Sequence, residues 1–411
     1  MNKKNLMILS AVVIVLGGVC LLLLNRESGN WSGAGVSSAT GGELLKNLNV
    51  NDIGEITVRN SEKSVTLHKK DGKWKVADAS DYPADFEKVS SLTIKLKELK
   101  PVQNVQAGPS QYGRLKLLKP SAKADEEKKK DEYGTFVSMK DAAGKKMASL
   151  VIGKDYSVDK HQTGGSDDSP YNFSSGGKYL LVEGMKNPVV VSESLYDAVP
   201  DISSWLNKDF VKVENIKSVS YSDGDSKNGW SVSKDKKDGT FKVEWLKKDE
   251  EQNGSNISSL TSSFNYMSFN GIADYKKASD LEKLEKHAVL TVRTFDGFTY
   301  KFTVAEKDDK GFLNVAVSAK FAEKRIPAKD EKKEDKEKLD KKFRENLKKL
   351  QEKLKKEEFF NNWVYTFPKY KIDQLMKPRK DIVSRKEKKE EKKKSADKTT
   401  SADDTKNPDD I

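Results

Sequence analysis

Few side chains in this sequence have the types and spacing that chemistry requires. The only histidines, His68, His161 and His287, are scattered and stand in no metal-ligand spacing. Cys20 is the single cysteine, which excludes an intramolecular disulfide and a cysteine-based zinc site. Asp223-Gly224-Asp225-Ser226-Lys227-Asn228 comes nearest to a calcium loop. There, Lys227 replaces an oxygen ligand, Asn228 the turn glycine and Lys234 the bidentate glutamate, so calcium is not expected. The sequence contains no G-x-S-x-G elbow and no phosphate-cradling G-x-x-x-x-G-K-[ST]. Acidic pairs such as Asp167-Asp168 fall in polar stretches, with no sign of the burial that tunes a carboxyl for proton transfer. Trp74 and Trp245 invite comparison with ligand-stacking aromatics. Each ends a strand before an apolar helix, so core or hairpin packing is the expected role. No catalytic, cofactor-binding or metal-binding residue is assigned, no cofactor is expected, and the chain reads as a non-enzyme.

The elements that would position such residues form two similar series. Ile53 to Val58 and Ser64 to His68 alternate apolar with polar residues, as half-buried strands do. Lys70-Asp71-Gly72-Lys73 signals a tight turn into Trp74 to Ala77. After Asp81-Tyr82-Pro83-Ala84-Asp85, the residues Phe86, Val89, Leu92, Leu96 and Leu99 mark one apolar helix face, and Pro101 ends it. Tyr133 to Met139 and Lys146 to Ile152 form a hairpin around Ala143-Gly144, followed by strands at Lys178 to Glu183 and Val189 to Ser192. Trp205-Leu206 is expected to pack where the first lobe meets the second.

The series then recurs. Ile216 to Tyr221, Trp230 to Lys234 and Phe241 to Trp245 read as strands, and Ile257, Leu260, Phe264 and Met267 as a helix face. Phe86 follows Trp74 by twelve residues, and Ile257 follows Trp245 by twelve. Strands flank Phe295-Asp296-Gly297, and Phe312 to Val317 is another. Two copies of one unit are expected. Ala328 to Glu358 is a long charged helix whose Leu339, Phe343, Leu347, Leu350 and Leu354 form a narrow apolar stripe. That stripe suits a coiled-coil partner or packing on the second lobe. Phe359 to Tyr370 alternates and is expected to return to the second sheet as a strand, with Ile372, Leu375 and Met376 as a short closing helix.

Leu6 to Leu24 decides where these elements sit. It is nineteen residues without a charge, long enough at ~1.5 Å per residue to cross a bilayer. Lys3 and Lys4 favour a cytoplasmic N-terminus, and the long apolar run with no small-x-small site argues against a cleaved signal peptide. Gly17-Gly18-Val19-Cys20 departs from a lipoprotein processing site at both key positions. The expected fold is α+β: an N-terminal transmembrane helix, two repeated lobes of antiparallel sheet each packed with a helix, and a long charged C-terminal helix. The expected divisions are an anchor over 1–25, a Gly/Ser-rich linker over 26–43 carrying Trp31, lobes over 44–200 and 201–327, the charged helix and returning strand over 328–376, and a disordered tail over 377–411.

The net charge of +12 does not imply nucleic acid, because lysines and acids are interleaved throughout the 411 residues. A basic body beside anionic lipid or cell-wall polymer is physically reasonable.

Several segments in this order carry a resemblance. They are Glu43-Leu44-Leu45 with Ile53 to Val58; Asp71-Gly72-Lys73-Trp74-Lys75-Val76; Tyr82-Pro83-Ala84-Asp85-Phe86; Tyr112-Gly113-Arg114-Leu115; Leu150-Val151-Ile152-Gly153-Lys154; Trp205-Leu206-Asn207-Lys208-Asp209-Phe210; and Trp363-Val364-Tyr365. In these the chain resembles the bacterial family catalogued as domain-of-unknown-function family 4340. The resemblance implies a membrane-anchored envelope protein, of a kind often encoded near ABC-type transporter components similar to those linked with gliding motility. It supplies no catalytic residues, and the lysine-rich insertion and tail depart from the family pattern. The expected function is therefore a non-enzymatic accessory or assembly component of an ABC-type transporter complex in the plasma membrane, with an extracytoplasmic body touching permease subunits. The alternative is a binding module for an anionic envelope ligand, glycan or lipid.

Overall fold

The computed structural model describes residues 42–121, 130–156, 177–327 and 331–386. The expected anchor at Leu6–Leu24, Cys20, Trp31, His161 and Asp167-Asp168 lie outside the described residues. Among the described residues no helix is long and apolar enough to cross a membrane.

The predicted alternation builds the first sheet. Ile56 and Val58 of β1 (Ile53–Arg59) and Val65 and Leu67 of β2 (Ser64–Lys70) point into the core. Asp71 and Gly72 both adopt positive φ, at 53° and 72°, which suits a two-residue hairpin into β3 (Lys73–Val76). After β4 (Tyr82–Pro83), Asp85 caps helix α1 (Phe86–Glu98) by accepting the main-chain N–H groups of Glu87 and Lys88. Val89, Leu92 and Leu96 are buried, as the spacing predicts. Phe86, counted on that face, is 65% exposed, because it stands at the first turn before the helix has reached the sheet. The sheet is completed by β5 (Pro101–Asn104), β6 (Thr135–Asp141), β7 (Lys146–Asp155), β8 (Lys178–Val182) and β9 (Val189–Val191), in the order β4-β3-β2-β1-β6-β7-β8-β9-β5.

A short helix, α2 (Ile202–Trp205), leads to the second lobe. Its strands are β10 (Ile216–Ser222), β11 (Trp230–Ser233) and β12 (Lys242–Val243), then β13 (Glu250–Gln252) before helix α3 (Gly254–Ser263). They continue with β14 (Gly271–Ile272), helix α4 (Ala278–Leu281), β15 (Lys286–Thr294), β16 (Phe298–Lys307) and β17 (Lys310–Ala319). The sheet closes with β18 (Val364–Pro368), in the order β12-β11-β10-β15-β16-β17-β18-β14. Strand by strand this repeats the order β3-β2-β1-β6-β7-β8-β9-β5 of the first sheet. β1 and β10 also share a register shift at their first residues, against β6 and β15 respectively.

The helices match as well. Val89, Leu92, Thr93 and Leu96 correspond to Ile257, Leu260, Thr261 and Phe264, all buried. Thr93 and Thr261 each bond back to the carbonyls three and four residues earlier. Ile257 thus corresponds to Val89, not to Phe86, and the equal spacing from the two tryptophans is coincidental. The expected strand ending at Trp245 stops at Val243, and Trp245 is 80% exposed with φ of +56°. The packing role expected of it is therefore incorrect.

Helix α5 (Lys333–Glu358) is inserted between β17 and β18, where the first lobe has only a short turn between β8 and β9. Leu350 and Leu354 pack on the core, Phe343 and Leu347 are half-buried, and Leu339 at the far end is exposed. The strand expected from Phe359 to Tyr370 is shorter at both ends: Phe359–Asn362 is a single 3-10 turn continuing from α5, β18 covers only Val364–Pro368, and Lys369 already begins α6 (Lys369–Leu375). The expectation of disorder from 377 onward needs correction at its start. Helix α7 (Arg379–Ile382) and strand β19 (Val383–Arg385) are ordered, and β19 pairs with β13. Ile382 and Val383 are buried, and the carbonyls of Asp381 and Ile382 accept from Asn256 Nδ2 and Asn253 N. Two apolar residues and a satisfied backbone outweigh the charge of the segment. One apolar cluster runs continuously from Leu45 through both lobes to Val383.

Candidate functional site

Trp205 and Leu206 sit at the seam between the lobes, as expected. Trp205 is buried, and its indole N–H donates to Val199 O at 2.7 Å. Its carbonyl accepts from Asp85 N at 2.7 Å, and Asn207 N donates to Pro83 O at 3.0 Å, so this segment extends the first sheet beyond β4. Ser80 and Asp81, both left-handed at φ of 55° and 58°, turn the chain into β4. That turn sends Tyr82 across the seam into the aromatic residues of the second lobe. Its ring lies 5.0 Å from Trp363, 5.7 Å from Phe269 and 6.1 Å from Tyr365, all edge-on.

Above this seam is a groove of about 610 Å³. Its floor is aromatic: Trp74 and Tyr82 come from the first lobe, and Phe359, Phe360 and Trp363 from the residues after α5. Its rim carries five lysines (Lys70, Lys73, Lys75, Lys355, Lys356) against three aspartates (Asp71, Asp81, Asp209). Asp81 is held between Lys70 and His68, each at 2.9 Å, and the Lys70 hydrogen bond keeps its carboxyl below the usual range. Lys356 reaches Asp209 at 3.2 Å, and Lys75 lies 3.9 Å from Asp71. Among the described residues Lys73 and Lys355 have no ion-pair partner, so the rim is left cationic on both lobes.

The groove continues past Asp209, Lys356 and Phe360 into a second hollow of about 520 Å³ beside Glu357. Glu357 is a buried carboxylate. It accepts from the Tyr300 hydroxyl at 2.6 Å and from Lys212 N at 3.3 Å, and Lys353 stands 3.8 Å away. Burial pushes its carboxyl above the ordinary value, while Tyr300 and Lys353 oppose the shift. A raised folded-state value means stability that is complete below the ordinary carboxylate value of about 4.5 and is lost as pH rises through the folded one. Glu357→Gln removes that titration. Urea denaturation across pH is expected to show the wild type losing ground to Glu357→Gln as pH rises from about 4.5 towards neutrality. Parallel profiles would show that Glu357 does not titrate with folding.

The remaining sequence candidates do not converge. Trp74 lines the groove, whereas Trp245 stands at the far edge of the second sheet, beyond β12. His287 Nδ1 lies 2.7 Å from Leu284 O, a structural contact. In the loop at 223–228, Asp223 accepts from Asp225 N and Asn228 Nδ2, and Asp225 accepts from Lys227 N, so main chain and amide occupy their carboxylates. Among the described residues no group of His, Cys, Asp and Glu side chains is placed to hold a metal ion. Glu357 was missed, although it continues the spacing of Leu350 and Leu354 and so falls on the buried stripe. The groove had no local signal, because its two walls are far apart in sequence.

No protein-family model matches the chain, and no curated relative or solved structure matches it.

Proposed function

We propose that the protein is a binding module for an anionic glycan of the cell envelope, held in the groove between the lobes. The reading is carried by the groove itself. Five aromatic side chains form its floor, and Lys73 and Lys355, without an ion-pair partner among the described residues, stand on opposite rims. Sugar rings offer apolar C–H faces to aromatic rings, and acidic substituents answer the lysines. The shared strand order supports reading the two lobes as copies of one unit, with the ligand site at their junction. The Leu6–Leu24 segment would tether this body to the plasma membrane, N-terminus inside and body extracytoplasmic. Activity as a binder requires no catalytic group.

A second reading, an accessory of an ABC-type transporter, draws on the resemblance and on the open Leu339 end of the stripe on α5. Cross-linking in intact membranes to permease subunits would favour it.

The test of the first reading is binding of the full chain to purified acidic cell-wall polymer, with phosphatidylglycerol vesicles as the competing probe. Affinity is expected to fall with salt, and by about tenfold or more in Lys73→Glu/Lys355→Glu, from the loss of two charge-assisted contacts. Equal affinity in wild type and double variant would remove the groove as the site. Displacement of the polymer by the vesicles from wild type would replace the glycan with a lipid headgroup.

A further inference from the structure

The turn beyond β12 has no role in the groove, yet it is built with care. Trp245 is 80% exposed and Leu246 39% exposed, side by side at its tip. Trp245 is held at φ of +56°, a conformation that a bulky residue rarely takes and that glycine or asparagine would adopt more easily. The turn is braced from several sides. Glu244 N donates to Ser231 O, and Lys247 N donates to Glu250 Oε2. The Arg379 guanidinium reaches both Trp245 O at 3.4 Å and Glu250 at 2.7 Å. Lys386 Nζ donates to Lys248 O, and the β13–β19 pair forms the base. The ordered C-terminal segment therefore fixes a rigid tip that displays a tryptophan and a leucine to solvent.

The tip is followed by Lys247 and Lys248, both exposed and without an ion-pair partner among the described residues. Over 242–251 and 379–386 there are seven Lys and Arg residues and five Asp and Glu, and the Arg379–Glu250 pair takes one of each. Tryptophan prefers the boundary between headgroups and acyl chains, and adjacent lysines are drawn to anionic headgroups. We propose that the Trp245–Leu246 turn docks on an anionic lipid surface, with Lys247 and Lys248 at the headgroups. This places a second contact on the membrane at the far edge of the second lobe, independent of whether the groove takes a glycan.

The test uses the full chain with vesicles of phosphatidylglycerol and phosphatidylcholine brominated on their acyl chains, which quench tryptophan emission on contact. Wild type is expected to lose an increment of emission that Trp245→Phe does not lose. Emission from the other tryptophans is common to both proteins and cancels in the difference. The increment is expected to vanish in pure phosphatidylcholine and to shrink several-fold in Lys247→Glu/Lys248→Glu. Both substitutions are at exposed positions, and circular dichroism checks that the fold is retained. Equal quenching of wild type and Trp245→Phe in anionic vesicles would overturn the proposal. So would an increment that is the same in pure phosphatidylcholine, because the lysines would then play no part.

Discussion

Trp205→Ala is expected to lower the unfolding free energy by about 3–5 kcal/mol, the range for deleting a large buried aromatic side chain. The residue is 1% exposed, so truncation leaves a cavity in the core that joins the lobes. It also removes the indole N–H from Val199 O, leaving a partly buried carbonyl short of its donor. Trp205→Phe keeps most of the apolar area and loses the hydrogen bond, so a smaller loss of about 1–2 kcal/mol is expected. The shape of the transition carries a second piece of information. One continuous core joins the lobes, so wild type is expected to unfold in a single step. With the seam cut, the lobes are expected to separate into two transitions. Guanidinium denaturation followed by tryptophan emission and by circular dichroism would show this. A loss below about 1 kcal/mol would mean that the seam is held elsewhere.

Tyr82→Ala is expected to cost about 3 kcal/mol and to abolish ligand uptake in the groove together. Tyr82 belongs to the first sheet but packs mainly on rings of the second lobe. Its removal takes away the floor beneath Trp363 and lets Phe359 and Trp363, 4.6 Å apart, collapse into the space. Tyr82→Phe keeps the ring packing and tests the hydroxyl, which interacts with that of Tyr365. Its expected cost is about 1 kcal/mol, with the groove intact. Paired melting curves and polymer-binding titrations separate the two effects. A variant that melts like wild type but fails to bind would make Tyr82 a ligand contact only. One that is destabilised yet binds normally would remove the groove floor from the binding site.

Periodicity made the α+β class, the hairpins at Gly144 and Gly297 and the helix faces legible, because each depends on residues close in sequence. The similarity of the two lobes was also legible, although through the wrong residues. Trp74 and Trp245 share a spacing by coincidence, whereas Val89-x-x-Leu92-Thr93 and Ile257-x-x-Leu260-Thr261 share a physical job, two apolar anchors and a threonine bonded back into its helix. The error at 377–385 has a different origin. Charge density suggested disorder, but Ile382 and Val383 sufficed to seat the segment once α3 presented a surface for it. Glu357 was hidden in a run of lysines and glutamates, where nothing but its place on the stripe distinguishes it from its exposed neighbours. The groove was illegible because Lys73 and Lys355 become neighbours only after two sheets have formed and met.

The insertion of α5 between β17 and β18 has a consequence for the order in which the chain becomes competent. Among the described residues β14 pairs only with β18, and β17 keeps an open edge until β18 arrives. Phe359, Phe360 and Trp363, which complete the groove, are made at that same late stage. During synthesis from the N-terminus the first lobe can close on its own, while the second waits with an unpaired edge for the length of a charged helix. A chain cut short anywhere in α5 would present that bare edge and no groove. The charged helix thus acts as a timer: the groove stays incomplete until nearly all of the described body has been made.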